Sequence, residues 1–330
     1  MFWIKEMKKE ILSEKKRIKL VFPEGKEDKI VEVANKLQEE NLADIILLFS
    51  DIKEIPKTLH PNITSIAVKN NINQEMLTEI LKIRKGRLQE TEAIELLQKR
   101  NYYGVMLVQM GLADAMVCGL NYSTADTLRP ALQIIKTHKN YPIASSVFVM
   151  TRGEGNDEEQ YIFTDCALNV DPIPEQLTEI AVMAANFAKT LHIDKVEVAM
   201  LSYSTASSGT GSMVDKVAKA ADRLKSFESE NLIFDGEMQF DSAYDKNVRN
   251  KKYPHCKFVK KHPDVYVFPD LNAGNIGYKI AQRLANFKAA GPFILGLNKP
   301  VNDLSRGASI EDIYQTSIVS IFQAIQREGK

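Results

Sequence analysis

Residues 297–307 set an amide, an ammonium, a carboxylate, a hydroxyl and a guanidinium close together. Asn298, Lys299, Asp303, Ser305 and Arg306 stand there ahead of the last helical pattern. Arginine is scarce in the chain, 11 against 32 lysines. An Arg beside Ser and Gly, where a strand gives way to a helix, suits the planar two-pronged recognition of phosphate or carboxylate oxygens. Asp312 follows at the helix start. There Ser309-Ile-Glu-Asp312 also reads as a capping arrangement with Ser309 at the N-cap. On the residues alone, Asp312 is either a helix-start residue or a catalytic one.

Three further segments combine small and polar residues behind a strand pattern. Residues 202–212 bring Ser204, Thr205 and Ser207 to the start of a helix. Hydroxyls and unpaired backbone N–H groups at a helix N-terminus suit a phosphate, and an ordinary loop with an N-cap serine explains them equally. Residues 269–277 contain Asn272, Gly274 and Asn275, with Gly277 closing the stretch. Glycine there permits close backbone approach or positive φ, and the competing explanation is a glycine-assisted turn. Residues 119–130 open a helix with Ser123 or Thr124 available as a cap and Arg129 in its first turns. Neither GxGxxG nor a complete GxxxxGK[ST] occurs, so the usual dinucleotide and P-loop signals are missing.

These segments need a scaffold to position them. Apolar, β-favouring runs predict strands at 18–22, 43–49, 115–117, 195–203, 232–234, 265–268 and 293–297. Helical patterns lie at 27–40, 74–85, 91–99, 124–137, 175–191, 214–224, 276–284 and 310–325. Continuous rather than alternating apolar strands joined by helices indicate mostly parallel sheets covered on both faces. The middle breaks that rhythm: runs at 144–150 and 160–165 flank a polar, glycine-containing segment, which predicts an antiparallel hairpin. The fold class is α/β, and ligands in such sheets bind beyond the carboxyl ends of the strands. A length of 330 residues fits one large unit or two smaller domains.

Composition removes several classes of function. The 43 basic and 43 acidic side chains leave no formal net charge, which argues against a nucleic-acid partner. The three cysteines are far apart and show no zinc spacing, so no metal site is expected. The first 20 residues are too charged for a signal peptide. The longest apolar run, near 45–49, is far short of the ~20 residues of a membrane span. A soluble, cytoplasmic chain without a membrane partner is the expectation.

Four ordered blocks carry a resemblance: STADTLRPALQIIKT at 123–137, DGEMQFD at 235–241, VFPDLNAGNIGYK at 267–279 and GLNKPVNDLSRG at 296–307. Over nearly its whole length the chain resembles the phosphate acetyl/butyryl transferase family. The resemblance implies two α/β domains like those of isocitrate and isopropylmalate dehydrogenases, with the active site in the cleft between them. The first would take residues 1–143 and, after the chain returns, 298–330; the second would take 144–297. It implies a homodimer with no metal and no tightly bound cofactor, with coenzyme A or acetyl-CoA as substrate beside acetyl phosphate and phosphate. The activity implied is reversible transfer of an acetyl group between CoA and inorganic phosphate. Butyryl transfer is the near alternative, and a non-catalytic acyl-CoA-sensing module the distant one.

By motif, Ser305 and Arg306 match the family's catalytic pair and Asp312 its proposed base. Arg84 and Arg129 match arginines implicated in CoA binding, with Arg87 as the alternative to Arg84. Two positions depart from the family: Tyr122 stands where His is common, and Ala206-Ser207 where many members have Lys-Gly. The implied mechanism is direct attack of the CoA thiolate on acetyl phosphate in a ternary complex. An ordinary thiol and an ordinary Asp differ by roughly 4.6 pKa units, an uphill proton transfer of about 6 kcal/mol. Asp312 therefore serves as a base only with help from burial or a neighbouring cation.

Overall fold

The computed structural model describes residues 2–328; residues 1, 329 and 330, at the ends of the expected first domain, lie outside the described residues. The chain divides into two compact units, Ile4–Asn140 with Leu297–Lys330, and Met1–Trp3 with Tyr141–Gly296. We call them the terminal and middle units. Trp3 groups with the middle unit, where it is buried edge-on against Phe293, ring centroids 6.2 Å apart.

The first helix, α1 (Phe2–Ser13), has Phe2 and Trp3 in the middle unit and the rest in the terminal unit, which continues with β1 (Lys19–Phe22), α2 (Asp28–Glu39), β2 (Asp44–Phe49) and β3 (Thr64–Ala67). Then come α3 (Gln74–Arg84), α4 (Glu90–Leu97), α5 (Arg100–Gln109), β4 (Ala115–Cys118) and α6 (Thr124–Ile134). In the middle unit follow β5 (Ser145–Arg152), β6 (Glu159–Thr164), α7 (Pro174–Thr190), β7 (Val196–Leu201), α8 (Ser212–Leu224) and β8 (Leu232–Met238). It continues with α9 (Phe240–Tyr244), α10 (Lys246–Lys252), β9 (Val265–Val267), α11 (Leu271–Leu284) and β10 (Lys288–Leu295). The chain then returns to the terminal unit for β11 (Val301–Asp303) and α12 (Ile310–Glu328).

The terminal sheet has the order β11-β4-β1-β2-β3, with every pairing parallel. The chain moves outward from β1 to β3, then returns to the other side of β1 for β4. The carboxyl ends of β1 and β4 therefore form a topological switch point, where open α/β sheets bind ligands. The middle sheet has the order β10-β5-β6-β9-β7-β8. The predicted hairpin is the antiparallel β5–β6 pair, β10 is antiparallel to β5, and the pairs from β6 through β8 are parallel. Among the described residues no helix is long and apolar enough to cross a membrane.

Several elements differ from the sequence expectation, for physical reasons. α5 was not expected: Asn101 to Val108 are all buried, so it has no polar face and no helical period to read. Residues 297–307 are not one loop, because Val301–Asp303 pair with Met116–Cys118 as a short strand. Residues 269–277 are not a loop ahead of a helix either. α11 begins at Leu271, with the Asp270 carboxylate accepting from the Ala273 N–H at 3.0 Å. Asn272, Gly274 and Asn275 thus lie in its first turns, where weak helix formers hid the helix. Gly274 is required for close approach, since a Cβ there would lie 2.4 Å from the Asp165 carbonyl oxygen.

Candidate active site

Glu24 follows β1 at the switch point and is buried. Its Oε2 accepts the N–H groups of Gly119 (2.8 Å) and Leu120 (3.0 Å), and its Oε1 that of Asn121. Three consecutive amides form an anion nest, and the protein's own carboxylate fills it, fixing the loop after β4. Gly119 has φ +124, and a Cβ on it would lie 2.4 Å from Asp303 Oδ1.

Asp303 ends β11 and is 2% exposed. Burial raises its pKa to about 6, with Glu24 adding to the rise and the hydroxyls of Thr124 and Thr127 opposing it. Its Oδ1 has no hydrogen-bond partner among the described residues. Beyond it the Leu304 N–H donates to the Cys118 carbonyl at 2.8 Å, and the chain turns out to solvent at Ser305, Arg306 and Gly307. That turn is tied down on its far side. The Ala308 N–H donates to the Ser305 carbonyl (2.8 Å), and Lys29 on α2 donates from Nζ to the Ala308 carbonyl (2.8 Å).

Asp312 closes a reciprocal cap. Its Oδ2 accepts from the N–H (2.8 Å) and hydroxyl (2.7 Å) of Ser309, while the Asp312 N–H donates to Ser309 Oγ at 3.2 Å. Asn298 and Lys299 lie elsewhere, ahead of β11 at the amino edge of the sheet. Asn298 donates from Nδ2 to the Ile135 carbonyl (3.0 Å). Lys299 Nζ donates to the carbonyls of Val108 (2.7 Å) and Gln109 (3.2 Å), completing the C-terminus of α5. The structure thus separates these two from Ser305 and Arg306 by the length of a strand.

Burial raises the Tyr102 phenol on α5, and the fields of Arg129 and then Arg84 oppose that rise. Arg84 ends α3, with Nε enclosed and without a hydrogen-bond partner among the described residues. Arg87 sits beyond the left-handed Lys85 (φ +35) on an exposed turn. The start of α6 is capped by Ser123, which accepts from the Asp126 N–H at 3.1 Å, and Asn101 Nδ2 donates to the Asp126 carbonyl at 2.8 Å. Arg100, which opens α5 beside these groups, was not singled out in the sequence because α5 itself was not recognised.

In the middle unit the serine-rich segment is built around Glu237 of the DGEMQFD block. Ser204 Oγ donates to Glu237 Oε1 (3.0 Å) and accepts from the Gly209 N–H (3.0 Å), while the Ser207 N–H donates to the same Oε1 (2.6 Å). Thr205 Oγ1 accepts from the Gln239 N–H at 2.9 Å. Ser204 and Thr205 are buried, so their hydroxyls hold the loop, whereas the Ser207 side chain is exposed at its tip. Asn275 Nδ2 donates to the Cys166 carbonyl (3.1 Å), and Asn272 is exposed in the first turn of α11. An apolar cavity of about 490 Å³, walled by Tyr161, Phe163, Tyr266 and Phe287 among others, is lined by Gly277 of the 269–277 segment but by no candidate residue with a polar side chain.

None of the cysteines is primed as a nucleophile. Burial pushes the Cys118 and Cys166 thiols well above their usual range and Cys256 to about 12. What the terminal unit offers is an exposed Ser–Arg turn beyond a sheet's carboxyl edge and an arginine pair on the helices that flank the sheet. That combination suits transfer between anionic substrates without a covalent enzyme intermediate.

A family model described as Phosphate acetyl/butaryl transferase matches residues 2–321, and the chain belongs to that family of acyltransferases. Over 324 residues it is 48% identical to the phosphate acetyltransferase of Mycoplasma capricolum subsp. capricolum, covering 98% of this chain and 99% of that one. It is 44% identical over 316 residues to the phosphate acetyltransferase of Bacillus subtilis, covering 94% and 96%. A crystal structure of a phosphotransacetylase from Streptococcus pyogenes matches with a TM-score of 0.91 at 43% identity, covering 98% of each chain.

Proposed function

We propose that this protein is a phosphate acetyltransferase, converting acetyl-CoA and phosphate to acetyl phosphate and CoA, and the reverse. The carrying observation is the Ser305–Arg306 turn, exposed beyond β11 and fixed by Lys29 on one side and by the Ser309–Asp312 cap on the other.

In the direction of thioester formation, the CoA thiolate attacks the carbonyl carbon of acetyl phosphate. The new C–S bond forms as the C–O bond to phosphate breaks. The Ser305 hydroxyl donates to the developing oxyanion, and Arg306 neutralises the departing phosphate. The thiol proton ends on the released inorganic phosphate, which leaves as hydrogen phosphate. No enzyme nucleophile is consumed, in keeping with the protonated cysteines, and holding both substrates together supplies much of the acceleration.

Arg84 and Arg129 hold CoA phosphates in this scheme, supported by the fields both exert on Tyr102. For Asp312 the reciprocal cap supports a positioning role, keeping the turn in register from the start of α12. The exposed Ser207 and Asn272 remain the substrate candidates of the middle unit. Dimerisation through the middle unit is part of the proposal. It is supported by Ile276, Ile280 and Leu284, which are exposed at four-residue spacing along α11.

Thioester formation by purified protein, followed spectroscopically with acetyl and then butyryl phosphate, tests the assignment. Preference for acetyl is expected. Faster turnover of butyryl phosphate would reassign the acyl group, and no thioester from either would leave a CoA-binding module.

A further inference from the structure

We propose that Arg100 is a third anion-binding arginine of the terminal unit and that it seats a phosphate group of a substrate. The inference rests on the acyl-phosphate and CoA chemistry proposed above and extends it to a residue outside the family motifs.

Arg100 is the first residue of α5, and its Nη1 is enclosed without a hydrogen-bond partner among the described residues. A guanidinium carries five N–H donors. The Tyr122 phenol lies in its field, which opposes the rise that burial gives that phenol's pKa. The nearby carboxylate does not serve as its counter-ion. Glu24 also acts on Tyr122, yet its two oxygens already accept three backbone N–H groups. A cation with an enclosed, unsatisfied donor is a poor resting state, and an anion would complete it.

The surroundings fit phosphate. Lys99, the N-cap of α5, makes no side-chain cap; the Tyr102 N–H donates to Asn101 Oδ1 at 3.0 Å, which leaves the N–H groups of Arg100 and Asn101 at the helix start. Asn101 ties this helix start to the first turn of α6. One residue further along, Tyr102 senses Arg84 and Arg129. The buried Cys118 thiol at the carboxyl end of β4 also lies in the field of Arg100, and Cys118 pairs with Asp303, the residue that leads to Ser305. The phosphate could come from acetyl phosphate (or inorganic phosphate) or from CoA.

Arg100→Gln and Arg100→Lys, compared with the parent by steady-state kinetics, test the assignment. Loss of charge-assisted bonds predicts a KM raised roughly 10- to 100-fold for Arg100→Gln with kcat within a few-fold, and a smaller rise for Arg100→Lys. A rise for acetyl phosphate and inorganic phosphate identifies the small anion. A rise for CoA that vanishes with CoA lacking its 3′-phosphate identifies that group, and one that persists identifies the diphosphate. Calorimetric binding of CoA and of inorganic phosphate keeps the test independent of turnover. Affinities and KM values equal to the parent's for both ligands overturn the inference, whatever the melting temperatures show.

Discussion

Asp312→Asn separates a base from a cap. The substitution keeps an oxygen where Oδ2 now accepts the N–H and hydroxyl of Ser309, at 2.8 and 2.7 Å, and removes the negative charge. If Asp312 works by holding the start of α12, kcat stays within about threefold. The lost charge near the helix N-terminus then costs about 0.3–1 kcal/mol of stability. Asp312→Ala removes the acceptor as well and should cost about 1 kcal/mol, the usual worth of a cap. Ser309→Ala breaks the same reciprocal pair, so the double variant Ser309→Ala/Asp312→Ala should cost clearly less than the sum of the two singles. A general base behaves differently, because its removal costs about 10²- to 10⁴-fold in rate. The assay is kcat for thioester formation beside urea unfolding of the same preparations. A hundredfold loss of kcat in Asp312→Asn with unchanged stability would refute the positioning role and restore the base.

Two further outcomes follow from the same edge of the sheet. Burial raises Asp303 from the ordinary 3.8 to about 6, so its contribution to stability is complete below about pH 4 and is lost as the pH rises through 6. The difference is about 3 kcal/mol at neutral pH. Urea titrations of Asp303→Asn from pH 4 to 7.5 should show a correspondingly smaller decline than the parent, and identical slopes would contradict the assignment. Gly119→Ala must place a Cβ 2.4 Å from Asp303 Oδ1 at φ +124. It should lose about 3 kcal/mol or more by chemical denaturation; a loss under about 1 kcal/mol would show that the loop yields freely.

The layered α/β plan was legible because continuous apolar strands and amphipathic helices leave a strong period. What escaped was structure without one. α5 is buried all round, β11 has only three residues, and the first turns of α11 are rich in Asn and Gly. The candidate site was legible where a motif stood on an exposed turn, as at Ser305 and Arg306. It was illegible where residue type alone had to separate ligand from scaffold. Lys299 looks like a substrate lysine in the sequence, yet it completes a helix C-terminus. Ser204 and Thr205 look like a phosphate cradle and instead bind Glu237 and Gln239. Glu24 opens the charged run Glu24–Lys29, which reads as an ordinary solvated helix start, and organises the switch point only through amides about 95 residues away. Such contacts depend on topology, which local pattern does not encode.

Isotope exchange between labelled inorganic phosphate and acetyl phosphate, run with and without CoA, tests direct acetyl transfer most directly. Label should enter acetyl phosphate only when CoA is present, because the acetyl group passes straight between thiol and phosphate. Exchange without CoA would demonstrate an acetyl-enzyme and contradict direct transfer; no exchange under either condition would contradict the activity itself.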